Sequence, residues 1–220
     1  MIVQIAAFTE QGEKTAYEII QTASVDNYSY YDKSKDTLSE WTKDAFANRR
    51  ALIFVGAMGI AVRTIAPYIK SKLTDSPVIV VDEKGQFVIP ILSGHVGGAN
   101  ELARKIAEHL GAVAVITTAT DINDVFAVDV FAVKNGLEIL DKKGIQAVSS
   151  KILAGQRTTI SFPFGEKKKM PEELIYIDYP PKINVDIIIS EDGKLLIIPK
   201  IFGSQGCALI MAYLWSSLYI

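Results

Sequence analysis

Apolar runs alternate with amphipathic stretches through the first 120 residues. Residues 2–8 form a short apolar run bounded by polar positions, which predicts a strand, and residues 10–22 follow with Ala16, Ile19 and Ile20 on one helical face. Residues 24–31, rich in tyrosine, read as a weaker strand, and residues 36–48 as a helix turning Leu38, Trp41, Ala45 and Phe46 inward. Residues 51–55 are a clear strand; Gly56 and Gly59 then mark the turn into a helix carrying Ile60, Val62, Ile65 and Ile69, which Pro67 kinks or ends. Residues 77–81 and 86–92 read as strands joined by the tight turn Asp82-Glu83-Lys84-Gly85, so a hairpin and a mixed sheet are expected. Leu102, Ile106 and Leu110 recur every four residues beside Ala103 and Ala107, the mark of an amphipathic helix, and residues 112–117 form a further β-branched run.

Beyond residue 121 the texture changes. Two helices (residues 127–137 and 145–153) and four short strands (158–162, 174–177, 185–190 and 195–199) are separated by Gly and Pro turns. The expectation is an α/β protein whose first domain, residues 1–120, holds a mixed, mostly parallel Rossmann- or flavodoxin-like sheet. A second, smaller α+β domain is expected over residues 121–200, and residues 201–220 are expected to form an apolar tail. Residues 207–220 fall short of the ~20 needed to span a bilayer and read as a docking or dimer helix, or a frayed remnant, rather than an anchor. Lys167 to Lys169 read as a solvated loop.

With 49% hydrophobic residues the chain has ample material for a core, and its net charge of −2 offers no field to gather nucleic acid. The single cysteine, Cys207, has no partner for a disulfide and no ligand at zinc spacing, which points to a reducing cytoplasm and no structural metal. The N-terminus lacks the basic start and long apolar core of a signal peptide, so no membrane association is expected.

The candidate chemistry clusters at strand ends. In the run LSGHVGGAN, His95 follows Ser93 and Gly94 and precedes Gly97 and Gly98, and Asn100 opens the helix. A histidine titrates near neutrality and suits proton transfer, while backbone N–H groups at a helix start suit an oxyanion. Ser93 is a candidate nucleophile, although it lacks the G-x-S-x-G elbow and a serine before a helix is more often a cap. Gly56, Gly59 and Arg63 form a second candidate set, able to grip an anion but lacking the phosphate-loop lysine and serine. Thr117, Thr118, Thr120 and Asp121 supply hydroxyls and a carboxylate, suited either to capping a helix or to binding a polar ligand. Three strand ends, after Val55, Leu92 and Ile116, are expected to line one edge of one sheet, where α/β proteins bind ligands.

Taken together, residues 54–121 closely resemble, in order and spacing, the CbiG family of the anaerobic cobalamin pathway, and DVFAVDVFAVKNGL beyond them resembles the start of that family's central domain. The resemblance implies a cobalt-precorrin-5A hydrolase, which opens a δ-lactone and releases acetaldehyde. The implied substrate is a cobalt corrinoid that brings its own metal, so no cofactor of the chain's own is expected. On that reading His95 activates water, the amides of Gly97 and Gly98 steady the oxyanion, and Arg63 grips a substrate carboxylate. Where family members continue into a C-terminal domain opening with a glycine-rich segment, this chain has IFGSQGC and a short remainder. The alternatives are a non-catalytic corrinoid-binding or scaffolding subunit, working as a homodimer or with a separate chain that supplies that domain, and a nucleotide- or phosphate-binding module.

Overall fold

In the computed structural model the described residues are 2–22, 25, 27–71, 74–163 and 170–197, the last three of these by backbone alone. The expected apolar tail and the Lys167 to Lys169 loop lie outside them. The chain divides into two compact units, residues 1–118 and 119–220.

The first unit is a six-stranded sheet in the order β2-β1-β3-β4-β5-β6. Its strands are β1 (Ile2–Ala7), β2 (Asn27–Tyr30), β3 (Ala51–Val55), β4 (Val78–Val81), β5 (Phe87–Leu92) and β6 (Val113–Ala114). The helices are α1 (Glu10–Ile20), α2 (Leu38–Ala47), α3 (Met58–Ile65) and α4 (Ala99–Leu110). Every residue of β3 and β4 is buried, as strands covered on both faces must be. Side chains alternate between two cores. Val3, Ile5, Ile53, Val55, Ile79 and Val81 face Ala16, Ile19, Leu102 and Ile106 of α1 and α4. Ala6, Leu52, Phe54, Val78 and Val80 face Trp41, Ala45, Ala61 and Ile65 of α2 and α3. Thr37 and Glu40 form a capping box at the start of α2.

Two details depart from the pattern read in sequence. α3 buries Ala61 and Ile65 while Val62 is exposed, and it gives way at Ala66–Tyr68 to a 3-10 turn containing Pro67, so Ile69 lies beyond the helix. β6, at the sheet's edge, is only two residues long, although Val115 still donates to the Val88 carbonyl at 2.9 Å.

The hairpin is formed as expected. β4 and β5 are antiparallel around a turn in which Asp82 accepts from the amides of Lys84, Gln86 and Phe87 at 3.0, 2.7 and 2.6 Å. β6 then runs parallel to β5. β5 and β6 therefore point opposite to β1 through β4, and this reversal decides where the candidate residues fall.

The second unit contains α5 (Ala119–Ile122), α6 (Val128–Lys134), β7 (Glu138–Ile139), α7 (Gly144–Leu153), β8 (Thr158–Ser161), β9 (Leu174–Tyr176), β10 (Ile187–Ile189) and β11 (Lys194–Ile197). Its sheet runs β7-β11-β10-β8-β9, with β10 and β11 antiparallel and the other pairs parallel. Val128, Ala132, Ile145, Val148, Ile152, Ile160 and Ile187 form its core. Beside that core the buried carboxylate of Asp186 accepts from Lys151 Nζ at 2.5 Å and from the amide and hydroxyl of Thr159 at 2.8 and 2.7 Å. Burial by itself would raise this carboxyl; the hydrogen bonds from Lys151 and Thr159 and the Lys151 charge outweigh it and hold the group below the ordinary carboxylate range.

Candidate functional site

The loop between β5 and α4 is built to close tolerances. Just before it, Val78 pairs with Leu92 and Ile79 with Pro90, so Ile91 is an extra residue, and Pro90, with no amide to donate, sits at the broken ladder. Ser93 then takes a left-handed backbone (φ 53°) and is buried, its hydroxyl donating to the Asp75 carbonyl at 2.9 Å. The chain folds back on itself. The amides of Gly98, Ala99 and Asn100 donate to the carbonyls of His95, Ser93 and Gly94 at 3.0, 3.2 and 3.0 Å.

Two glycines make that fold possible. A Cβ on Gly97 would stand 2.5 Å from Ser93 Cβ and 2.7 Å from its carbonyl oxygen; one on Gly94 would stand 2.4 Å from Asn100 Oδ1. At Gly97 no side chain fits, and at Gly94 one would have to displace the amide of Asn100. Asn100, buried at the start of α4, donates from Nδ2 to Thr118 Oγ1 at 3.0 Å and so ties the helix to the chain leaving β6. His95 is held at the turn of this loop, partly exposed. It is the loop's one side chain able to carry a proton near neutral pH.

Several expected roles change. Ser93 gives its one hydroxyl proton to the Asp75 carbonyl and has no base as its partner in that bond; Gly98, left-handed at φ 83°, occupies the N-cap of α4 without a side-chain bond. The first amides of α4 are closed by the loop's own carbonyls, and the Gly98 N–H is taken by His95. Gly97 keeps the only glycine amide of the expected oxyanion pair without an acceptor among the described residues.

The three strand ends do not share one edge. Val55 pairs with Val81, whereas Leu92 pairs with Val78, as does Leu52. The ends of β3 and β5 thus lie at opposite ends of β4, roughly 10 Å apart along the strand. Gly56 donates to the Val81 carbonyl at 2.8 Å, and Arg63 folds back over Gly59, its Nη1 only 3.2 Å from where a Gly59 Cβ would be. Gly56, Gly59 and Arg63 therefore belong to the far edge, away from His95. The physical cause is the hairpin, which reverses β5 while the local grammar of strand, glycine turn and helix stays the same. Thr118 does join the His95 loop, through Asn100, and Thr117 is exposed next to it. Thr120 and Asp121 belong to the second unit: Thr120 is buried, and Asp121 lies in the first turn of the short α5, not at a cap.

A feature that the sequence reading missed lies on the His95 edge. The end of α2, the 3-10 turn and the segment before β4 enclose a cleft of about 500 Å³. It is lined by Phe46, Pro67 and Tyr68 and by the cations Lys43, Arg49 and Lys70. Asp75 forms one wall, its carboxylate accepting from the amides of Lys70 and Ser71 at 2.9 Å and its carbonyl accepting from Ser93. The cleft and the His95 loop thus share Asp75. In sequence these lysines and arginines are scattered surface charges; only the reversal of β5 brings the histidine beside them.

By class, then, this is a three-layer α/β unit carrying a glycine-locked histidine loop, followed by a small α+β unit. Residues 40–121 match the family described as cobalamin synthesis G N-terminal. The chain is 47% identical over 116 residues to a cobalt-precorrin-5A hydrolase of Salmonella typhimurium, covering 52% of this chain and 33% of that protein. It is 40% identical over 122 residues to the cobalt-precorrin-5A hydrolase of Priestia megaterium, covering 56% and 33%. A probable cobalt-precorrin-5A hydrolase of Methanocaldococcus jannaschii is 31% identical over 153 residues, covering 70% and 46%. The matches thus cover between a third and a half of the length of these curated relatives. In fold, the chain is similar to a solved cobalamin biosynthesis protein G homolog from Sulfolobus solfataricus, with a TM-score of 0.52 over 100% of this chain and 70% of that one at 20% identity. Residues 40–121 are thus similar to the N-terminal region of the CbiG family. Among the described residues no helix is long and apolar enough to cross a membrane, and no group of three or more His, Cys, Asp or Glu side chains is placed to hold a metal ion.

Proposed function

We propose that this chain acts in the cytoplasm on cobalt-precorrin-5A, opening its δ-lactone with water and releasing the extruded carbon unit as acetaldehyde. The observation that carries this reading is the family match over residues 40–121, which contains the whole His95 loop together with the cationic cleft beside it. Hydrolysis adds hydroxide to the lactone carbonyl and breaks its C–O bond, so one proton leaves water and one reaches the departing oxygen. His95 takes the first and returns the second. The alcohol so freed then loses its proton and leaves as acetaldehyde when its C–C bond to the macrocycle breaks, the ring taking up the electron pair and the proton. The Gly97 amide, held in place by the close packing of Gly97 on Ser93, faces the carbonyl oxygen as charge develops on it. The reaction consumes only water and the cobalt arrives within the substrate, so the chain needs no cofactor of its own.

The test is anaerobic incubation of the full chain with cobalt-precorrin-5A, following acetaldehyde and the mass of the corrinoid. Turnover in the wild type, falling about 10²–10⁴-fold in His95→Ala with binding retained, supports the reading. Full activity in His95→Ala removes the histidine from it. A second reading, a non-catalytic corrinoid-binding subunit acting as a homodimer or with a partner chain, is favoured by the closure of Ser93, Gly98 and the α4 amides on the loop itself. Tight binding without acetaldehyde, and acetaldehyde only when a second chain is added, would select it.

A further inference from the structure

We infer that the cleft lined by Lys43, Arg49 and Lys70 is the binding site for an amphipathic polycarboxylate and, resting on the reading above, that it holds the carboxylate-bearing rim of the corrinoid while His95 faces the lactone. The cleft's volume, about 500 Å³, is that of a small-molecule site. Its lining is mixed: Phe46, Pro67 and Tyr68, the two aromatic rings 5.9 Å apart, together with three cations. Such rings take the flat apolar body of a ligand and such cations take its carboxylates.

The neighbouring acids offset only part of that charge. Asp44 is paired with Arg50 at 2.8 Å, Glu40 is held by Thr37 in the capping box and also lies within reach of the Lys43 charge, and the carboxylate of Asp75, accepting from two backbone amides, is the one acid in the lining against three cations. No ion pair engages the side chains of Arg49 or Lys70 among the described residues. Arg49 adds a second, independent sign. It ends α2 in the left-handed conformation, φ 51°, with the Arg50 amide donating to Ala45 at 2.9 Å; glycine is the residue this position favours. The chain places a forked cation there at the expense of backbone comfort. Asp75 links the cleft to the catalytic loop, since its carbonyl holds Ser93 and His95 stands two residues further on, within about 7 Å of chain. The carboxylate grip expected of Arg63 is thereby reassigned to the edge that carries the histidine.

The test is calorimetric titration of the full chain with dicyanocobyrinic acid, its fully esterified form, and benzenehexacarboxylate. Expected results are binding of the acid that weakens with salt, and at least tenfold weaker binding of the ester. Arg49→Gln should weaken the acid about tenfold, and Lys43→Gln and Lys70→Gln about threefold each, while Arg63→Gln on the far edge changes nothing. Arg49→Gly gives the sharper readout: affinity falls while the thermal midpoint rises by about 2–4 °C, as relief of left-handed strain requires. Wild-type affinity in the triple variant Lys43→Gln, Arg49→Gln, Lys70→Gln, or equal binding of acid and ester, overturns the proposal and leaves the corrinoid reading standing. Binding of benzenehexacarboxylate that the triple variant loses, with no binding of any corrinoid, keeps the polycarboxylate site and overturns the corrinoid reading. No binding of any probe overturns both.

Discussion

At Gly97 one methyl group decides whether the His95 loop can close. Gly97→Ala forces a contact of 2.5 Å against Ser93 and is expected to cost about 1–3 kcal/mol and to displace the histidine, so turnover should fall further than the thermal midpoint alone would suggest. Ser93 separates two readings cleanly. As the clamp on Asp75 it is worth one buried hydrogen bond, so Ser93→Ala should lower stability by about 1–2 kcal/mol and leave turnover within roughly tenfold of wild type. A loss of 10⁴-fold or more in kcat would instead mark a nucleophile and overturn the assignment. Neither role was readable from the residues themselves. A serine before a helix looks the same whether its oxygen accepts from an amide as a cap or its proton goes to a base or to a distant carbonyl, and Asp75 is eighteen residues away.

The elements were largely legible because each carries its own period. β3 and β4 are unbroken apolar runs, α4 shows its stripe at Leu102 and Ile106, and the Asp82-Gly85 turn announces the hairpin. What did not follow was the consequence of that hairpin for the sites. Its reversal sends the ends of β5 and β6 to the edge where β3 and β4 begin, separating Arg63 from His95 and bringing the cleft beside the histidine. The turn therefore positions the site as well as the strand. Asp82→Ala removes an acceptor for three backbone amides and is expected to cost about 1–3 kcal/mol. Hydrogen exchange should quicken first in residues 86–92. Unchanged protection there would show that the β4–β5 ladder holds the register without the turn.

For the whole molecule, two units with separate cores need not lose stability together. The Asp186 carboxyl titrates lower in the folded second unit than in the unfolded chain, so its contribution is full above the unfolded carboxylate range near 4 and is lost as pH falls through the depressed folded value. Acid should thus weaken the second unit, an effect that Asp186→Asn flattens, as read by thermal melts from pH 6 to pH 2. The same steepness in the variant would place the acid sensitivity elsewhere. Lys151→Met leaves the carboxylate buried without its cation and should destabilise by about 2–4 kcal/mol.

By itself the sequence determined the strands and helices, the mixed sheet, the glycine-rich loop around His95 and the resemblance to CbiG, because periodicity, turn chemistry and motif spacing are local properties of the chain. Only the tertiary structure decided which loops share an edge, where the hydroxyl of Ser93 points, and that Lys43, Arg49 and Lys70 line one cleft. Those depend on strand order and direction, which join residues far apart in sequence and leave no trace in local spacing.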